Sequence, residues 1–185
     1  MPYTPFHMGP GMALKALAGP RLSLVSFGVA QVGMDIEPLV HMLRRDHVIH
    51  GFTHTYLGAA AIGLVALPIA RPVTVWLSGL WDRELRAANL SWLTEVAPRP
   101  WSPIVVGTFV GTYSHVLLDS IMHADVAPLA PFREGNPLLN WLSFGGIHLL
   151  CVASGALGLC AWAIAQRVRT RGLTTGSSDR GARLR

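Results

Sequence analysis

Three long runs of apolar residues constrain the fold of this chain more than any short motif does. They cover residues 52–69, 102–121 and 144–165. A helix needs about 20 apolar residues to cross the hydrocarbon core of a bilayer, and each run approaches or reaches that length. The charged fraction is 14% and the mean hydropathy is +0.40, which is typical of a membrane protein rather than a soluble domain. We therefore predict an all-α integral membrane helical bundle with about three full transmembrane helices.

Shorter segments surround these runs. Residues 1–7 are expected to be irregular, and helices over 9–18 and 22–34 are each too short to cross a bilayer. The Gly19-Pro20 break between them makes this part either a short-helix hairpin or one kinked span. Residues 72–100 combine tryptophans with charged residues, which predicts an interfacial amphipathic segment after a helix that ends near Pro68 and Arg71.

The chain divides into two parts of unequal length. Residues 1–166 are expected to form the membrane-embedded domain, in which residues 124–140 form a loop between the last two spans. Residues 167–185 are basic and rich in Gly, Ser and Thr, so we predict a disordered tail. The basic residues do not form a patch interleaved with aromatics, so nucleic acid is not an expected partner. The lipid bilayer is the expected partner, and the sequence leaves the oligomeric state open.

The distribution of basic residues predicts the orientation. If the spans alternate back from a cytoplasmic tail, most arginines lie on the cytoplasmic side, and only Arg44, Arg45 and Arg133 lie opposite. The same arrangement places the histidines, together with Asp35, Glu37, Asp119 and Asp125, at the non-cytoplasmic ends of their segments. For His7 this placement requires the hairpin.

Two pairs of residues have the spacing of metal ligands. His50 and His54 are four residues apart, and on a helix their β-carbons would lie about 5–6 Å apart on one side. His115 and Asp119 have the same spacing within an apolar run, where a carboxylate costs about 2.5–3.5 kcal/mol at the bilayer centre and needs a partner. A metal ion or an Asp–His hydrogen bond between helices would each satisfy it. Other histidines have weaker support: His41 and His47 are expected to face water, and His123 and His148 to lie at the interface.

Four short motifs carry a resemblance to a known family. They are Met1-Pro2-Tyr3-Thr4-Pro5-Phe6-His7, Asp35-Ile36-Glu37, Gly51-Phe52-Thr53-His54-Thr55 and Ser114-His115-Val116-Leu117-Leu118-Asp119-Ser120. In this order they resemble the bacterial LexA-regulated, membrane-bound metal-dependent hydrolases and related domains of unknown function. The resemblance implies a location in the bacterial inner (plasma) membrane. It also implies that the functionally important positions are His7, Asp35, His54, His115 and Asp119. The family often has Pro-Asp-x-Asp at Met34-Asp35-Ile36-Glu37, and His-Arg-Gly at Ile49-His50-Gly51.

These observations lead to a metal-dependent hydrolase as the expected function. Its substrate would be a phosphorylated lipid or another membrane-associated molecule, and zinc is the expected divalent ion, because it activates bound water near neutral pH. Glu37 would be either a ligand or the general base that takes the proton of the water, and Asp35 is the other catalytic candidate. Metal binding or transport without catalysis, and a purely structural His/Asp cluster, remain alternatives. The candidate metal ligands are His7, Asp35, His50, His54, His115 and Asp119.

Overall fold

Helices are the regular secondary structure of the described residues, and turns and loops connect them. A computed structural model describes the backbone of residues 4–94 and 100–182, and the side chains of residues 5–94 and 100–170. Within these ranges there is no β-strand, so the predicted all-α class is confirmed. The first and last residues of the chain, and residues 95–99, lie outside the described part. The α-helices are α1 (Thr4–Ala18), α2 (Leu24–Met34), α3 (Ile36–Arg44), α4 (Tyr56–Ala87), α5 (Trp101–Met122) and α6 (Phe144–Ala182).

Three helices are long and apolar enough to cross a membrane: α4, α5 and the part of α6 up to Thr170. In the most apolar stretch of α5, 61% of the residues are buried inside the protein, against 22% for α4 and 17% for α6. Helix α5 is therefore the central span. The outer spans expose large apolar side chains such as Leu64 and Leu157, which is the surface that lipid covers in a bilayer.

The N-terminal helices form the hairpin. A 3₁₀ turn at Gly19–Arg21 joins α1 to α2, and Gly19 adopts a φ of +58°, which glycine tolerates without strain. Beyond the turn, the Ser23 amide donates to the Pro103 carbonyl at 3.0 Å, which fixes this end of the hairpin to the start of α5. The other ends of α1 and α2 therefore lie beside the end of α5.

Close contacts between backbones hold α1 against α6. A Cβ added at Gly158 of α6 would lie 2.5 Å from the amide nitrogen of Ala13, and one at Gly9 of α1 would overlap the Cys151 carbonyl. Small residues at such contacts let helices approach closely where no hydrophobic effect drives them together. Helix α1 is thereby part of the membrane bundle, although it is too short to cross a bilayer.

Three predicted boundaries differ from the structure. Helix α1 begins at Thr4, so the expected irregular segment is wrong from that residue onward; Pro5 lies in the first turn, where no amide donor is needed. Helix α4 passes through Pro68 and Pro72 to Ala87 instead of ending near Arg71, since membrane helices tolerate internal proline. Helix α6 has no internal proline and its backbone stays helical beyond Arg167 to Ala182. The separation of a tail domain at residue 167 stays a prediction.

Candidate metal centre

Four ligand-type side chains meet at one end of the bundle. Asp35 lies between α2 and α3, His54 ends a 3₁₀ turn before α4, and His115 and Asp119 lie near the end of α5. One ligand atom from each residue lies within 4.8 Å of those from all the others. We call these four residues the inner cluster. The chain thus brings together four of the six predicted metal ligands, from three separate parts of the sequence.

The distances within the inner cluster are short and involve both carboxylates. His115 Nε2 lies 3.1 Å from Asp119 Oδ2 and 3.4 Å from Asp35 Oδ1. His54 Nε2 lies 3.3 Å from the same Asp119 oxygen. A tetrahedral zinc site with bonds of about 2.1 Å has ligand–ligand distances of about 3.4 Å. The donor set and its spacing therefore fit a divalent ion.

The His115 ring is oriented by Gln31 of α2. Gln31 Nε2 donates to the Gly111 carbonyl at 3.1 Å, so its Oε1 faces the His115 ring. His115 Nδ1 lies 2.6 Å from this oxygen. An amide oxygen only accepts hydrogen bonds, so Nδ1 carries a proton, and in the neutral ring that a metal ligand requires, Nε2 would present its lone pair to the inner cluster. Polar partners of this kind fix ligating histidines in metal sites.

His54 is oriented in the same way by Thr53 and Glu37. The Thr53 hydroxyl donates to Glu37 Oε2 in a very short hydrogen bond. It therefore accepts from His54 Nδ1 at 3.0 Å, which leaves Nε2 with its lone pair towards Asp119. Burial lowers the pKa of His54, so its ring is neutral at neutral pH, as a metal ligand must be.

Glu37 itself lies outside the inner cluster. Its Oε2 accepts from the amides of Gly51 and Thr53 at 3.2 and 3.0 Å, in addition to the Thr53 hydroxyl. These donors occupy the oxygen that faces the 3₁₀ turn. Glu37 is thus placed to hold the turn that carries His54.

Several buried polar atoms of the site have no hydrogen-bond partner. They are His7 Nε2, Asp35 Oδ2, His54 Nε2 and His115 Nε2. An unsatisfied buried polar group costs about 1–3 kcal/mol, and imidazole lone pairs that face carboxylate oxygens repel them. A cation among these atoms would satisfy both kinds of ligand at once.

His7 lies beside the inner cluster rather than within it. Its Nε2 is 3.4 Å from Asp119 Oδ1, and its ring meets that of His115 edge to face with centroids 4.8 Å apart. The side chain is almost completely buried. The hairpin prediction, which alone places His7 at this end of the molecule, agrees with this position.

His50 does not form the predicted helical pair with His54. It precedes the 3₁₀ turn in an extended segment, because Gly51 has φ −108° and ψ −138°, and no helix joins the two residues. The rings are nevertheless close, with centroids 4.7 Å apart. His50 instead groups with His123 and Asp125, with one ligand atom of each within 4.8 Å of the others. We call these three residues the outer cluster.

Asp125 fixes the position of His50 in the outer cluster. Its Oδ2 accepts from the amides of Ile49 and His50 at 3.0 Å, and its Oδ1 lies 2.9 Å from His50 Nδ1. Burial opposes ionisation, but the hydrogen bonds from His50 outweigh it and lower the pKa of Asp125 to about 2. The sequence predicts that Asp125 and His123 lie at the non-cytoplasmic ends of their segments, as the other histidines do, but neither residue is among the predicted metal ligands. The sequence carries no local signal that joins them to His50, because Asp125 lies 75 positions away from it.

A family model supplies the relationship to known proteins. The model described as YdjM inner membrane protein matches residues 8–176, which contain all of both clusters. The chain belongs to the YdjM inner membrane protein family. This is the LexA-regulated, membrane-bound metal-dependent hydrolase family, so the resemblance predicted from the motifs is confirmed. No curated protein and no solved structure matches the chain. The family and the three candidate spans together make this an inner membrane protein.

Proposed function

We propose that this protein is a metal-dependent hydrolase whose divalent ion is held by the inner cluster. The main support is the orientation of two buried histidines. His54 and His115 are each held by a polar partner at Nδ1, and each turns an unpartnered Nε2 towards Asp119. Zinc is the expected ion, given two imidazoles and two carboxylates.

The residues of the centre divide into those that would bind and those that would position. Asp35, His54, His115 and Asp119 would hold the ion, which supplies Lewis acidity and activates water near neutral pH. Asp35 Oδ2 is buried and has no hydrogen-bond partner among the described residues, and we assign it the role of accepting a proton from the attacking water. Glu37 is a positioning residue in this proposal, because its hydrogen bonds hold the turn before His54.

A lipid phosphate ester is the substrate class that the surroundings favour. A groove of about 410 Å³ lies on the transmembrane part of the protein, lined by Tyr56, Phe109, Val110, Tyr113, Ser114 and Leu117. Ser114 of this lining contacts the Gln31 side chain at 3.4 Å, and Gln31 is the partner of His115, so one hydrogen-bonded residue connects the groove to the inner cluster. Its lining is almost entirely apolar and suits an acyl chain, whereas the inner cluster suits an anionic headgroup.

Transport of the ion is less compatible with the packing below the centre. A Cβ on Gly111 of α5 would lie 2.8 Å from the Phe27 carbonyl of α2, and one on Gly107 would overlap the Ser23 carbonyl. The two helices therefore touch along the part of the span that separates the centre from the turn of the hairpin. Contact at this distance leaves no path for an ion between α2 and α5.

Metal content and turnover, measured together, test the proposal. The full chain is purified in detergent as wild type, His54→Ala, Asp119→Ala and the control His47→Ala, whose histidine is exposed and outside both clusters. We expect bound zinc and release of phosphate from phosphorylated lipids for wild type and His47→Ala only. Metal-free wild type would refute the metal centre. Bound zinc without turnover on any phosphorylated lipid would favour a metal-binding protein without catalytic activity.

A further inference from the structure

The outer cluster has the composition of a second cation site. His50 follows α3 by several residues, and His123 and Asp125 follow the end of α5. Their ligand atoms lie as close together as those of the inner cluster. The two clusters are neighbours, because the rings of His50 and His54 have centroids only 4.7 Å apart.

The histidines of the outer cluster are held in place before any ion binds. Asp125 is ionised and can only accept, so His50 Nδ1 donates to it and Nε2 is the ring nitrogen available to an ion. The His123 ring lies beside the His50 ring, with centroids 4.4 Å apart and an interplanar angle of 35°. Asn136 Nδ2 donates to the His123 carbonyl at 3.0 Å and so fixes the backbone there. Preoriented imidazoles of this kind are what metal sites require.

The two clusters differ in their access to water. His54 and His115 are fully buried, whereas the Asp125 side chain is 30% exposed and His123 is half-buried. The outer cluster therefore lies nearer the surface of the protein than the inner cluster does.

We propose that His50, His123 and Asp125 bind a second divalent cation beside the inner cluster, so that the centre holds two ions. This inference rests on the proposed function and extends it. Paired ions in hydrolases clamp the attacking and leaving oxygens of a phosphate ester. The second cation would also bind the headgroup charge of the substrate class proposed above.

The stoichiometry of Mn²⁺, used alone as the probe, tests this proposal. The full chain in detergent is stripped with a chelator, and Mn²⁺ is titrated while free ion and the electron paramagnetic resonance spectrum are recorded. We expect two ions per chain in wild type and in His47→Ala, with a spectrum broadened by coupling between neighbouring ions. His123→Ala and His123→Phe, which keeps a ring against His50, should each bind one ion and show an uncoupled spectrum.

The possible outcomes separate this inference from the proposed function. If wild type bound one ion, and both His123 variants kept it while Asp119→Ala lost it, the second site would be overturned and the inner site would stand. If wild type bound one ion, and the His123 variants lost it while Asp119→Ala kept it, both the inner site and the two-ion centre would be overturned. The unfolding temperature of each variant shows whether it has kept its fold. If the His123 variants do not fold, His50→Phe removes a different ligand of the outer cluster and tests the same site.

Discussion

At the scale of single residues, the candidate centre depends on polar groups that do not touch an ion. Gln31 and Thr53 each determine which ring nitrogen of a histidine carries the proton. A histidine with the other tautomer would present an N–H to the inner cluster and could not be a ligand. The role of these two residues can be measured separately from that of the ligands.

Replacement of Gln31 by Met should weaken zinc binding about 10–100-fold, the usual effect of losing a partner of a ligating histidine. The change keeps the length of the side chain but removes the acceptor of His115 Nδ1. Competition with a zinc chelator in detergent measures the dissociation constant. Ser114→Ala is the matched control. It removes the 3.4 Å contact to Gln31 Nε2 and the hydrogen bond from Ser114 to the Gly111 carbonyl, but Gln31 Nε2 keeps its own bond to that carbonyl and Oε1 still faces His115. Equal affinities of Gln31→Met and wild type would show that Gln31 does not orient His115.

Thr53 allows a sharper comparison, since one replacement removes its hydroxyl and another removes its methyl group. Thr53→Val keeps the shape of the side chain but breaks the link from Glu37 to His54. We expect a loss of zinc affinity of about 10–100-fold for Thr53→Val and near wild-type affinity for Thr53→Ser. The same chelator competition measures both. Wild-type zinc affinity in Thr53→Val would show that the Thr53 hydroxyl does not orient His54.

At the scale of helices, the contact between α1 and α6 should control stability. Gly158→Ala places a Cβ against the Ala13 backbone, and overpacking of this kind costs about 1–3 kcal/mol. Gly79→Ala in α4 is the control, because a Cβ there meets nothing within 4 Å and alanine favours a helix. Thermal unfolding in detergent should show a lower midpoint for Gly158→Ala and an unchanged or higher one for Gly79→Ala. Equal midpoints would contradict close packing of the two helices.

The sequence predicted best those features that depend on neighbouring residues. The ends of α5 and the shared face of His115 and Asp119 follow from an apolar run and a four-residue step. His50 and His54 have the same step, but no helix contains them, since the chain there is extended at Gly51. The outer cluster joins His50 to residues more than 70 positions away. Such contacts arise from how helices pack, and local periodicity carries no signal for them.

At the scale of the whole molecule, the metal-ligand candidates lie at one end of the bundle and arginine–tryptophan contacts lie at the other. The inner cluster lies where α4 begins and α5 ends. At the other end, the Arg71 guanidinium lies 4.7 Å from the Trp101 ring, and that of Arg167 lies 5.1 Å from the Trp92 ring. Arginine and tryptophan together are typical of a membrane interface. The basic end is therefore the predicted cytoplasmic end, and the metal centre would face the other side.

Labelling of single cysteines tests this orientation. Both native cysteines, Cys151 and Cys160, are first replaced by alanine. A single cysteine is then introduced either at Glu134, in the exposed loop near the centre, or at Ala88, in the exposed segment after α4. A membrane-impermeant maleimide should label Glu134→Cys in intact cells with a permeabilised outer membrane, and Ala88→Cys only after lysis. The reverse pattern would place the centre in the cytoplasm. Because lipid headgroups differ in access between the two leaflets, the result also determines which leaflet can supply the substrate.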